Sequence, residues 1–168
     1  MQVARHRTRA LIAALVALLL PTLAAEAQTV VKVALWDKGP EAMEMPDGML
    51  PMGMAMPGAM IDMATMGITV DKAEVPAGEV TFQVLNDTQE FYHSLGIAPV
   101  ADPAKELPYL ADRMMIDEAA AGRVAFVKEL RPHDAGAVTV KLLPGTYILY
   151  CNIAGHYAMG MWTLITVI

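Results

Sequence analysis

The sequence is short of several things that small exported domains usually rely on. It has one cysteine, Cys151, so an internal disulfide framework is excluded. It has four histidines, and one of them, His6, lies in the first ten residues. Long apolar runs are also missing: the stretch from Ala10 to Leu20 is interrupted by Pro21 and falls short of the roughly 20 residues that a membrane-spanning helix requires. Basic residues are scarce, with 12 Lys and Arg against 18 Asp and Glu and a formal charge of −6. An acidic balance of this kind disfavours nucleic acid and anionic lipid as partners, and it suits a basic docking protein.

The amino terminus has the three parts of a secretory signal: Arg5, Arg7 and Arg9, then the short apolar run, then Ala25-Glu26-Ala27. Cleavage after Ala27 removes three basic residues and one acid, which takes the charge from −6 to −8. An uncleaved amino-terminal anchor is the alternative, and only that would tie the protein to a membrane. Residues 28–168 are then expected to form one exported, monomeric domain.

Within that domain, residues 29–36 read as a strand, because Val31, Val33 and Leu35 alternate with Val30, Lys32 and Ala34. The pattern then breaks. Residues 43–66 hold nine methionines among prolines and glycines, as in Pro51-Met52-Gly53-Met54-Ala55-Met56-Pro57, a composition unsuited to a helix interior or a central strand. This Met-rich insert is expected to be a long loop; its thioethers would suit extra Cu(I), a varied partner surface, or no ligand at all. Short apolar runs follow at 67–71, 79–85, 92–98, 123–130, 137–142, 146–151 and 162–168, separated by turns such as Pro144-Gly145. Residues 102–121 are expected to form a loop with a short helical piece. The whole predicts an all-β, antiparallel sandwich.

The last two strands enclose the chemistry. Cys151, His156 and Met161 are each separated by four residues, in a segment that returns between strands and contains Gly155 and Gly160 for tight turns. Such a segment can aim a thiolate, an imidazole and a thioether at one point. A second imidazole is available at His93, on a separate predicted strand. Two His, one Cys and a weak axial Met form the ligand set of a mononuclear copper electron-transfer site. Met159 competes with Met161 for the axial place, with spacing in favour of Met161. Zinc also accepts nitrogen and sulfur, but the methionine points to copper. His133, in the polar Arg131-Pro132-His133-Asp134, reads as a surface residue.

From about residue 66 to the end, with His93, Tyr150-Cys151, Gly155-His156, Gly160-Met161 and the closing run Trp162-Thr163-Leu164-Ile165-Thr166-Val167, the sequence resembles the cupredoxins, the small blue copper proteins. The resemblance implies a Greek-key β-sandwich with copper near one end, reversible one-electron transfer with a redox partner protein, and an exposed edge on His156 for electron exit. Two departures stand out: Ala154 where many relatives have Pro, and Ser94 where many have Asn beside the upstream His. An electron carrier is therefore expected, with a copper chaperone or store as the alternative suggested by the methionines. An enzyme is not expected. Multicopper oxidases and copper nitrite reductases need further histidine clusters, and a dinuclear copper centre needs a second cysteine.

Overall fold

The structure, a computed structural model, describes residues 28–44, 52–55 and 63–168. The expected leader at 1–27 and the parts of the Met-rich segment at 45–51 and 56–62 lie outside the described residues. Eleven strands follow in chain order: β1 (Thr29–Asp37), β2 (Met66–Val70), β3 (Glu74–Val75), β4 (Gly78–Asn86), β5 (His93–Val100), β6 (Tyr109–Leu110), β7 (Met115–Ile116), β8 (Ala125–Leu130), β9 (Ala135–Leu142), β10 (Gly145–Tyr150) and β11 (Trp162–Val167).

They form a four-stranded sheet ordered β2-β1-β4-β9, a five-stranded sheet ordered β3-β11-β10-β5-β8, and the small β6-β7 hairpin. One face of each large sheet supplies a shared core. Val31, Val33, Leu35, Val80, Phe82 and Val84 from the first meet Leu95, Ile97, Leu149, Ile165 and Val167 from the second. The alternation read from β1 and β4 is the ordinary mark of a strand with one face buried. The all-β sandwich expected from sequence is therefore present, with one correction. β1 runs parallel to β4, and β3 runs parallel to β11, so both sheets are mixed rather than antiparallel.

The five-stranded sheet is covered on both faces. Its outer face packs Ala98, Val100, Ile148 and Tyr150 against Leu107, Ile116, Ala121, Tyr157 and Met54. The cover comes largely from residues 102–121, where the expected helical piece does not form. Pro103 and Pro108 remove backbone donors in this stretch, which instead makes turns and the β6-β7 hairpin. On the same face Tyr150 lies across Gly96 of the neighbouring strand, where an added Cβ would sit 2.5 Å from Cζ of the ring. Gly96→Ala is accordingly expected to lower unfolding free energy by about 1–3 kcal/mol, the usual cost of overpacking, as measured by urea denaturation.

The described part of the Met-rich segment is docked rather than loose. Met52 donates its N–H to the Ala158 carbonyl at 2.6 Å and accepts from Trp162 Nε1 at 2.7 Å. The Glu106 carboxylate accepts from the N–H groups of Met54 (3.1 Å) and Ala55 (2.9 Å) and from the Tyr157 hydroxyl (2.7 Å). Met52, Met54 and Met66 are buried. Among the described residues these methionines serve packing, and nothing there supports an additional Cu(I) site.

Candidate metal centre

Three elements bring the donors together at one end of the core. β5 begins with His93, and its pairing with β8 shifts register between His93 and Leu95, an irregularity that re-aims a strand-end side chain. β10 ends at Tyr150, so Cys151 is the first residue past the ladder. Its side chain continues the inward-facing series Tyr147, Leu149. The returning segment then folds on itself. Met161 donates to the His156 carbonyl at 3.1 Å, and Cys151 donates to the Met161 carbonyl at 3.0 Å. Gly155 (φ 86°) and Gly160 (φ 93°) take the left-handed turns expected of them, flanking a short 3-10 turn at Tyr157–Met159.

His93, Cys151 and His156 are all buried, and one ligand atom from each lies within 4.8 Å of the other two. The two Nδ1 atoms are 3.1 Å apart, and Sγ lies 3.5 Å from Nδ1 of His156 and 4.0 Å from Nδ1 of His93. An ion with metal–nitrogen bonds of about 2.0–2.1 Å and a metal–sulfur bond of about 2.3 Å spaces its donors about 3.3–3.7 Å apart at tetrahedral to trigonal angles. The observed separations of 3.1, 3.5 and 4.0 Å bracket that spacing, and the softness and imidazole content of the donors fit copper. Met159 and Met161 are both buried, in the same apolar cluster as Cys151.

Burial sets the electrostatics. It pushes the Cys151 thiol up from its ordinary pKa, opposed by hydrogen bonds from the backbone of Ser94 and Ile153. It pushes both histidines down. His156 falls to about 4, with the neighbouring His93 adding to the effect, while the fall at His93 is opposed by Asp37. A cation held among these groups would reverse the balance, stabilising the thiolate and bare imidazoles.

The surroundings contain residues that sequence reasoning did not single out. The Asp37 carboxylate lies 3.2 Å from Nε2 of His93. Asn152 pairs its side-chain amide with both backbone groups of Ile116, which ties the donor segment to β7. Asn86 donates to the carbonyls of Phe91, two residues before His93, and of Leu130, the β8 partner of His93. Ser94 bridges to the Cys151 segment. Its N–H lies 3.3 Å and its hydroxyl 3.7 Å from Sγ, and the hydroxyl accepts from Asn152 N–H at 3.2 Å. His133 is exposed, as read from the sequence, and takes no part. The exposed edge implied for His156 is absent: the residue is 4% exposed, with the Phe91 ring edge-on to its imidazole at 6.4 Å.

No family model matches the chain, and no curated protein matches it. Solved structures do. Reduced rusticyanin is 25% identical, with 83% of this chain and 78% of that one covered at a TM-score of 0.52. Rusticyanin from Thiobacillus ferrooxidans is 22% identical, with 84% and 79% covered at 0.53. Auracyanin from Roseiflexus castenholzii is 21% identical, with 84% and 98% covered at 0.48. Rusticyanin is described as a copper protein. The two mixed sheets, packed face to face with the donor cluster at one end, give this chain the cupredoxin fold.

Proposed function

We propose that the protein is an exported one-electron carrier in which His93, Cys151, His156 and Met161 hold a single copper ion. The observation that carries this reading is the convergence of two imidazole nitrogens and one sulfur within 4.8 Å inside a cupredoxin fold. When bound, copper supplies the one-electron couple.

The chain's own residues do the rest. His93 and Cys151 are fixed by strands, and His156 by the hydrogen-bonded return of its loop, so the donors need little rearrangement between oxidation states. Ser94 steadies the sulfur from its backbone and its hydroxyl. The surrounding apolar cluster keeps water away, which favours outer-sphere transfer over substrate chemistry. We therefore assign no enzymatic reaction. The acid-rich composition suits a basic redox partner meeting a monomer. Export rests on the pattern of residues 1–27. No helix among the described residues is long and apolar enough to cross a membrane.

The test is optical. Copper(II)-loaded protein is expected to show an intense visible thiolate-to-copper band that disappears on reduction. Cys151→Ala is expected to lose the band completely, as followed by absorption with metal content measured in parallel. A copper-loaded wild-type protein without that band would refute the assignment.

A further inference from the structure

The inward series of β1 continues one step further than its apolar residues. Val31, Val33 and Leu35 face the core, and the next position in phase is Asp37, whose side chain is 2% exposed. A buried carboxylate needs partners for both oxygens. Oδ1 accepts the N–H of Gly39 at 2.8 Å, and Oδ2 faces Nε2 of His93 at 3.2 Å. Among the described residues no lysine or arginine nitrogen lies within 4.0 Å of it. Among the described residues its hydrogen-bond partners are the imidazole and one backbone N–H.

Resting on the copper reading above, we propose that Asp37 is a positioning residue of the metal centre: it holds His93 in the Nε2–H tautomer and places a buried negative charge behind that ligand, favouring Cu(II) over Cu(I). A carboxylate has no proton to give, so the contact is a hydrogen bond only if Nε2 carries the hydrogen. Nδ1 is then bare, and it is Nδ1 that lies 3.1 Å from Nδ1 of His156 and 4.0 Å from Sγ of Cys151. A carboxylate behind a ligating imidazole fixes the orientation of the ring and makes it a stronger donor. A fixed anion also stabilises a doubly charged ion more than a singly charged one, because the attraction scales with charge. Had only the Gly39 N–H needed an acceptor, an asparagine would have served.

Asp37→Asn removes the charge at nearly constant volume, and its single amide oxygen can accept from only one of Nε2–H and the Gly39 N–H. It is expected to retain the visible band and to lower the ratio of Cu(II) to Cu(I) affinity about tenfold, read by competition with chelators for each ion. For a one-electron couple that is a rise of about 59 mV in reduction potential. In the metal-free protein, nitrogen NMR is expected to find His93 as the Nε2–H tautomer in wild type and a mixture of tautomers in Asp37→Leu. An unchanged potential in Asp37→Asn, or equal weakening of both ions, would overturn the charge effect. Nδ1–H in metal-free wild type would overturn the positioning. A wild-type protein without the visible band would sink the copper reading itself, and the tautomer would still decide whether Asp37 holds His93.

Discussion

Asn86→Ala is expected to lower the unfolding free energy by about 3 kcal/mol and to weaken metal uptake as well. Asn86 is fully buried at the end of β4, where its Nδ2 donates to the Phe91 carbonyl at 2.9 Å and the Leu130 carbonyl at 3.0 Å. Its Oδ1 accepts from the Thr88 hydroxyl at 2.7 Å. Truncation takes the side-chain donor from the Phe91 and Leu130 carbonyls and leaves a void, while the Thr88 hydroxyl keeps the Phe91 carbonyl as acceptor at 3.0 Å; each buried group left unsatisfied costs about 1–3 kcal/mol. Leu130 is the β8 partner of His93, so the loss falls beside a donor. Asn86→Asp tests the cause: it keeps the volume, but an ionised carboxylate donates no proton, and it is expected to be at least as damaging as alanine. If urea denaturation found Asn86→Asp close to wild type, volume rather than donation would be what matters.

Acid is expected to destabilise the metal-free protein through its buried histidines. His156 titrates at about 4 when folded, against an ordinary 6.5. Between those values the unfolded chain binds more protons than the native one, so stability is complete above pH 6.5 and is lost as pH falls toward 4. A gap of this size corresponds to about 3 kcal/mol, and His93, also shifted downward, adds in the same direction. Bound copper keeps the imidazoles deprotonated, so the loaded protein should resist the same acidification until protons displace the ion. Urea titrations at pH 7 and pH 4.5, with and without copper, measure the difference, and His156→Gln should remove most of the slope in the metal-free protein. Metal-free wild type with the same stability at both pH values would contradict the shift.

Much of the architecture could be read from local pattern. Val31, Val33 and Leu35 announced β1 by period-two alternation, and Pro144-Gly145 announced the turn before β10. The donor segment was legible because Cys151, His156 and Met161 are close in sequence and chemically unusual together. The upstream partner, His93, stood out because histidines are so few.

What sequence reading missed depends on contacts between distant residues. The parallel pairing of β1 with β4 leaves no local mark, because each strand alternates in the same way whichever direction its neighbour runs. Asp37 lies one residue past Trp36, where the apolar rhythm ends, although the period points to it. Asn86 and Asn152 resemble ordinary turn residues until the carbonyls they satisfy are located. The Met-rich stretch reads as a long loop, and its composition gives no sign that Met52 and Met54 are held by Ala158, Trp162, Tyr157 and Glu106, partners about a hundred residues away or half that. The hairpin at 109–116 has strands of two residues each, too short to display any period.

The burial of the three donors also sets a pace. His93 and Cys151 are 0% exposed and His156 is 4% exposed, so an ion arriving from water finds no open door. The turn that carries His156 is itself tied down, because Gly155 donates its N–H to the Met114 carbonyl. An ion held there is shielded from the solvent side, so its exchange with a chelator should be slow, taking hours rather than seconds to reach balance.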